Sequence, residues 1–422
     1  MHHKTINSEF FHLFNLKIDK EMLEVGLFQL FVCLGQNLVK LSLIFHMYQN
    51  LNYEIWQIFA FYFLFQLGFV LTNPFVGYLI QKVGLKHGIS SRGFGNIVFY
   101  VFLPFFLQAD FYQSMLLLIP IFLLQGVLKN MSNISYDIFL AHHLNKKNKG
   151  EVVAWLQIAM MFAAIVAPVA GAVITKFFGF NIVIYVGILF MVISSVILYL
   201  TPDEKFPMHY TPKKLISDVF YKTPKSLFLA EWGRVFFETI LWVLWPIFLI
   251  LVLKDVLSMG ILIGASSFFA MILAYLVGKR IDTGKTSPAN ILKWGAWRST
   301  GLNFFRAIWF EPVSLSIIDA LSQVNDQTIQ IPYNTEVYKW THEKDTFERA
   351  HIRRILSEVF FTISLLVFVI AFMCFPHSPC WLFVLIFSVG AFSLSLTAQI
   401  SKVTDMVEKT KIKTAKVLLK VD

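Results

Sequence analysis

Between residues 23 and 401 the chain is an almost unbroken succession of apolar runs, each near the length of about 20 residues that carries an α-helix across a bilayer. They fall at 23–47, 55–80, 93–109, 112–139, 151–175, 180–201, 227–253, 257–278, 289–310, 313–337, 350–374 and 380–401. Hydrophobic residues fill 57% of the 422 positions and charged residues 15%, whereas a globular domain is about a quarter charged. So much apolar surface cannot be hidden in one soluble core. Once twelve spans are drawn, the short connections leave no length for a sizeable soluble domain, and an all-α membrane protein is expected. The first 22 residues scatter Lys4, Lys17, Lys20 and Glu21 among aromatics. They contain neither an apolar h-region nor a small-residue cleavage site, so no cleaved signal peptide is expected.

The net charge of +10 would suit a nucleic-acid partner, but the basic residues cluster in alternate connections, which topology explains without one. Nearly all Lys and Arg fall on one side, in the N-terminus, every second connection and the tail, while the opposite connections hold only Lys176 and Lys254. The positive-inside rule then puts both termini in the cytoplasm and the protein in the cell membrane. Five more cations, Lys40, Lys129, Arg234, Arg298 and Arg306, lie within apolar runs and need another explanation. Three cysteines are too few for a disulfide framework; a bridge between Cys374 and Cys380, which flank one outer connection, is left open.

The two halves echo each other. Gly77 after the second run returns as Gly278 after the eighth, and Tyr136-Asp137 in the fourth returns as Tyr333-Asn334 in the tenth, each about 200 residues later, the pattern of a parallel repeat. The expected organisation is a six-helix bundle over 1–202, a cytoplasmic linker over 203–225 with Pro207, Pro212 and Pro224, a second six-helix bundle over 226–401 and a cytoplasmic tail over 402–422.

At about 100° per residue, the tenth run puts Asp319, Gln323, Asp326, Gln327, Gln330 and Asn334 on one face. The fourth does the same with Gln125, Lys129, Asn133, Tyr136 and Asp137, and the first with Gln29, Gln36, Asn37 and Lys40. In the seventh, Glu231, Arg234 and Glu238 give charge pairings three and four residues apart, followed by Trp242 and Trp245 on the same face. An ionisable side chain in hydrocarbon costs at least about 2.5 to 3.5 kcal/mol, so these four faces must meet protein, water or ligand. The third, sixth and twelfth runs are apolar all round, as helices facing lipid or packed neighbours are. A central polar cavity follows.

Mutual neutralisation is the plain alternative. Arg306 with Asp319, and Arg298 with Asp326, lie at matching depths and are expected to pair. Glu231 and Glu358, near the ends of their runs, are expected to snorkel to the interface. Glu238 lies deeper and is the carboxylate best placed to titrate. Pro246 and Pro332 interrupt the seventh and tenth runs, where each removes a helix hydrogen bond and allows a kink.

After the second run the chain reads GYLIQKVGLKH over residues 77–87, which resembles the GxLxDRxGRR loop signature of the major facilitator superfamily in both pattern and position. Gln81 stands where the family has Asp, while Lys82 and Lys86 keep the basic character. The second-half copy, Gly278 to Lys285, keeps an acid at Asp282 but is one residue shorter. Ala167-Pro168, Gly171 and Ala172 in the fifth run are similar to a GPxxGG element found in many members, especially exporters, and Lys149-Gly150 looks like the family's Arg-Gly. Small residues there also serve close helix packing.

The resemblance implies the major facilitator fold, twelve transmembrane helices in two pseudo-symmetric six-helix bundles, working by alternating access around a central site lined by the first, fourth, seventh and tenth helices. A secondary active transporter for a small organic solute is then expected, acting as a monomer in the lipid bilayer, coupled to protons and leaning to efflux. An uptake symporter for a sugar or other polar nutrient is the alternative. Residues expected to bind the solute are Gln36, Asn37, Lys40, Lys129, Asn133, Arg234, Trp242, Trp245, Gln323, Gln327 and Gln330. Glu238, Asp326 and Asp137 are expected to carry the coupling ion, and Gly77, Gln81, Lys82, Gly84 and Lys86 to form a gating loop. No cofactor, catalytic residue, metal ligand or nucleic-acid partner is expected. A membrane enzyme would start from His142-His143, but no third ligand at metal spacing accompanies them. There is no GxxxxGK[ST] segment for ATP-driven transport. A non-transporting sensor or scaffold on the same fold is the other class, against which the charges inside the spans count.

Overall fold

The computed structural model describes residues 20–108, 110–143, 149–200, 203, 211–221, 223–282, 288–308, 311–341, 346–376 and 379–400. The 402–422 tail, most of the 203–225 linker and residues 283–285 lie outside them, as do the side chains of His142, His143, Lys149, Lys279, Arg280 and Asp282. No strand occurs among the described residues. The helices are α1 (Lys20–Phe45), ending in a π-turn at His46–Asn50; α2 (Ile55–Thr72), which passes through a 3-10 turn at Asn73–Phe75 into α3 (Val76–Val83); α4 (Leu85–Phe106); α5 (Phe111–His143); α6 (Lys149–Phe178); and α7 (Phe180–Tyr199). There follow the short α8 (Pro212–Tyr221); α9 (Lys225–Thr239), joined by a π-turn at Ile240–Leu244 to α10 (Trp245–Leu253); α11 (Val256–Asp282); α12 (Pro288–Ile308); α13 (Pro312–Thr341); α14 (Thr346–Cys374); and α15 (Pro379–Ser393), which runs into a 3-10 turn at Leu394–Ile400.

Ten helical stretches in the described residues are long and apolar enough to cross a membrane. Neither α12 nor α13 is among them, although they have 21 and 30 residues, because polar residues dilute their composition, those of α13 facing inward and those of α12 divided between buried Ser299, Asn303 and Arg306 and exposed Lys293 and Arg298. The outer faces of the apolar helices expose Phe105, Tyr112, Leu116, Phe177, Phe178 and Phe392. Such a belt is stable against lipid, where helices satisfy their own backbone hydrogen bonds.

Short connections make successive long helices antiparallel. The molecule therefore has an end A, where α1 starts, and an opposite end B. At end A, Lys86 at the start of α4 lies 3.7 Å from Glu21 and 3.4 Å from Glu24 of α1. At end B, Lys176 of α6 lies 3.1 Å from Asp255, and His46 stacks on Phe180 at 4.2 Å. In the first half, α1 packs on α6 and α7, α4 on α5 and α7, and α2 on α5; in the second, α12 packs on α13 and α15, α11 on α13, and α9 on α14. The halves meet along two seams, α6 with α11 and α2 with α14.

Glycine makes the first seam possible. A Cβ on Gly260 would lie 2.7 Å from the Pro168 carbonyl oxygen and 2.6 Å from Ala172, and one on Gly264 2.8 Å from that of Ile165. The Ala167–Ala172 segment is thus the tightly packed wall between α6 and α11, with Gly171 set against the backbone of Leu38 in α1.

Several sequence expectations change. The expected gating loop is helical: Gly77, Gln81 and Lys82 lie in α3, Lys86 lies in the first turn of α4, and Gly84 alone separates the two helices. Gly84 takes φ 102°, a conformation that glycine adopts without the steric penalty of a Cβ. Asp203 caps the helix that starts there, accepting from the Lys86 and His87 amides at 2.9 and 2.8 Å, which satisfies two of the free N–H groups of a helix start. Because α4 begins at Leu85 rather than near 93, two further turns enter the helix, and Arg92 with them. The linker contains α8, whose Leu215 and Val219 pack on Ile352, Leu356 and Phe360 of α14. Pro246 is the second residue of α10, one residue past a π-turn, whereas α13 continues unbroken through Pro332. Cys374 and Cys380 are exposed free thiols.

Candidate functional site

Among the described residues, two adjoining cavities lie in the interior, of about 320 and 580 Å³, and they share Lys40, Glu238, Trp242 and Gln330 as lining. These four come from α1, α9, the π-turn after it and α13, so the cavities adjoin where both halves of the chain meet. The smaller lies toward end B and the larger toward end A.

In the smaller cavity, Asn37 and Lys40 of α1 face Trp242, Trp245 and Gln323, Asp326, Gln327 and Gln330 of α13. Its polar wall is held rigidly. Arg306 and Asp319, both fully buried, form an ion pair, and the Arg306 guanidinium carbon sits 3.6 Å from the centroid of the Trp245 ring, within range of a cation–π contact. Gln323 donates to Asp319 at 3.0 Å and accepts from Ser267 at 3.1 Å. Asp326 accepts from Ser299 at 3.1 Å. The expected partner of Asp326, Arg298, is exposed, because it falls one residue before Ser299 on α12 and so about 100° away around the helix.

The larger cavity is built on α5 and α14. Lys129, Asn133, Tyr136 and Asp137 line it from the first half, and Arg353, Arg354, Ser357 and Glu358 from the second. Arg234 is held by Glu231 at 3.0 Å, by Glu238, and by Ser357 Oγ, to which it donates at 3.2 Å. Glu231 also accepts from Tyr333 and Ser357, and Arg353 lies 3.5 Å from it. Neither Glu231 nor Glu358 snorkels: Glu231 is fully buried at the centre of this network, and Glu358 is buried and accepts from Gln66 of α2. A buried carboxylate with this many donors has no need of the interface.

At end A, polar contacts join the halves. Arg354 of α14 donates twice to Asp137 of α5, at 2.8 and 3.2 Å, a bidentate geometry. Beside it, His351 Nε2 lies 2.7 Å from Asn73 Oδ1 and 3.0 Å from the Asn73 carbonyl. Both partners are acceptors, so Nε2 carries the proton. Asn73 in turn donates to Asn130 Oδ1 at 3.2 Å.

Of the residues expected to bind solute, Asn37, Lys40, Trp242, Trp245, Gln323, Gln327 and Gln330 line the smaller cavity, and Lys129, Asn133 and Arg234 the larger. Gln36 lines neither; it accepts from Arg92. Glu238 lies where the cavities adjoin, Asp326 on the smaller and Asp137 on the larger. Gln125 turns away to donate to Asn96 of α4 at 2.6 Å.

Sequence reasoning missed the cavity residues of α2, α4 and α14, among them Tyr62, Phe65, Gln66, Arg92, Arg353 and Arg354. Arg92 precedes the third run, and the single-residue break at Gly84 carries it into α4; Arg353 and Arg354 lie in the first turn of the eleventh run, where they read as flanking cations, and the start of α14 at Thr346 sets them a turn deeper in the helix. Helix starts, not composition, held that signal.

Residues 25–305 match a family model described as Major Facilitator Superfamily. No curated protein matches the sequence. Among solved structures, the chain is similar to the human organic anion transporter MFSD10 (TETRAN), with 11% identity, 90% of this chain and 98% of that one covered, and a TM-score of 0.65. It is also similar to a bacterial homologue of the iron transporter ferroportin in the outward-facing state, with 12% identity, coverage of 90% and 99%, and a TM-score of 0.68. Likeness at these identities is likeness of fold.

Proposed function

This chain belongs to the Major Facilitator Superfamily, and on that premise we propose that it moves a small organic solute across the cell membrane by alternating access, two six-helix bundles rocking about the paired cavities. Its family and fold make it a multi-pass membrane protein and a secondary transporter. The observation that carries the proposal is the meeting of Lys40, Glu238, Trp242 and Gln330, from both halves, around one polar interior. Cavities of this size, with convergent polar groups beside aromatic rings, are of the kind that holds a small molecule.

In this reading α12 and α13 complete a set of twelve spans, the polar face of α13 and Arg306 of α12 turned to the site, and both termini lie in the cytoplasm, so that end A is cytoplasmic. Coupling to protons is assigned to Glu238, next to Arg234 and at the junction of the cavities, and to Asp326, bonded to one hydroxyl. Asp137, held by Arg354, belongs to the join between the halves at end A instead. The Ala167–Ala172 element supports export as the direction.

The test is a screen of solute classes in proteoliposomes holding the full chain, with and without an imposed pH gradient. Wild-type protein should move one class above empty liposomes and faster with the gradient. Glu238→Gln should lose gradient-driven accumulation while keeping solute exchange. If no solute moves under any condition, the carrier reading is wrong; unchanged pH dependence in Glu238→Gln removes that residue from coupling.

A further inference from the structure

The charges around the larger cavity do not balance. Six cations line it, Lys40, Arg92, Lys129, Arg234, Arg353 and Arg354, against three carboxylates, Asp137, Glu238 and Glu358, with a fourth, Glu231, directly behind the wall. Pairing accounts for half of the cations: Arg234 with Glu231 and Glu238, Arg353 with Glu231, and Arg354 with Asp137. Lys40, Lys129 and Arg92 make no contact ion pair with any described carboxylate; Glu238 acts on Lys40 and Glu358 on Lys129 only from beyond contact distance, and six cations against four carboxylates leave a surplus of two. Lys40 rests on the Trp242 ring at 3.6 Å and Lys129 on that of Phe69 at 4.0 Å, while Arg92 donates only to the neutral Gln36 amide, its Nε without a partner. A ring quadrupole holds a cation but carries no counter-charge.

From this surplus we infer that the solute is an organic anion, a carboxylate, sulfonate or phosphate on an apolar or aromatic body, with its charged group received by Lys40, Lys129 and Arg92. Buried charges are kept where something pairs them, and here the missing partner is an oxyanion. The rings of Trp242, Tyr62 and Phe65 on the same lining take the apolar part. The two lysines come from α1 and α5 in the first half and the tryptophan from the second, so an occupant in contact with all three spans the halves. The inference rests on the carrier reading for its consequence, although the anion site stands without it.

The test has a binding arm and a transport arm on the purified full chain. Benzoate, benzenesulfonate and phenyl phosphate are compared with neutral benzamide and cationic benzylammonium, first as stabilisers against thermal unfolding and then as substrates in proteoliposomes. The anions should protect and be carried, and the neutral and cationic compounds should do neither. Lys40→Gln and Lys129→Gln should each weaken the anion by about tenfold or more, the weight of a charge-assisted hydrogen bond. Without ligand these variants should be at least as heat-stable as wild type, since an unpaired buried charge is removed, and Lys129→Arg should keep the affinity. A merely structural lysine would show the opposite stability change. Protection by anions without transport upholds the anion site and ends the carrier reading. Transport of benzamide or benzylammonium in preference to the anions upholds the carrier and overturns the inference, as does anion affinity unchanged in both Gln variants. If no anion protects and none is carried, the anion site is refuted.

Discussion

Arg306 and Asp319 owe their tolerance of full burial to each other and to the Trp245 ring. Removing either alone leaves an uncompensated charge, which costs about 3–5 kcal/mol, whereas apolar replacement of both is near neutral. Arg306→Leu and Asp319→Leu should therefore each lower thermal stability by that order and the double variant should recover most of it. Additive losses would show that the two are not coupled. Asp255, outside the spans, behaves differently. Burial pushes its carboxyl up, but hydrogen bonds from the Ser258 amide and hydroxyl and from Lys176 outweigh this and hold it below the usual carboxylate value. A depressed folded value means stabilisation that is present above the unfolded value and lost as pH falls through the folded one. Asp255→Asn should thus be less stable than wild type at neutral pH, and the gap should close from about pH 5 to pH 3; a gap independent of pH would remove Asp255 as its source. The Arg306–Asp319 pair was legible in the sequence because both lie at one depth on neighbouring helices. The network around Glu231 was not, since Tyr333, Ser357 and Arg353 reach it from α13 and α14, and only the fold brings those helices to α9.

Helices α6 and α11 approach as closely as they do because Gly260 and Gly264 on one side let Ala172 and the Pro168 and Ile165 carbonyls of the other come against the backbone. Gly260→Val would force a Cβ and two methyls onto the Pro168 carbonyl and Ala172, so the seam must part toward end B. The expected result is a fall in thermal stability together with faster modification of a cysteine introduced at Gln323. Gly301, around which a Cβ meets nothing, supplies the control, and Gly301→Ala should change neither. The sequence showed that residues 167–172 were small but not what they touch, because α11 lies about 90 residues on and periodicity carries no pairing information. For α13 the opposite holds. Its polar stripe was fully readable from spacing, and the same stripe makes the helix too polar to be recognised as a span by composition alone.

Across the whole molecule, the alternation of runs and connections predicts successive antiparallel helices, and the two-fold echo predicts two like halves. What they could not tell is where the halves are latched together. Asp137–Arg354 and Asn73–His351 tie α5 and α2 to α14 at end A, joining residues more than 200 positions apart whose pairing no local pattern announces. Asp137→Asn should weaken that latch, and a cysteine placed at Asn133 on the larger cavity should then react several-fold faster with a water-soluble maleimide added from end A. An unchanged rate would mean that end A is held elsewhere. The π-turn at Ile240–Leu244 governs the same interior through helical phase. It is a helix with one residue to spare, sited where Pro246 has no N–H for the Trp242 carbonyl. Because the turn absorbs that residue, deleting one there would restore ordinary winding and leave Trp245 close to its place against the Arg306 guanidinium, whereas a deletion inside Lys225–Thr239 would turn all that follows by about 100°. A single-codon loss should thus be tolerated within Ile240–Leu244 and not in the turns before it.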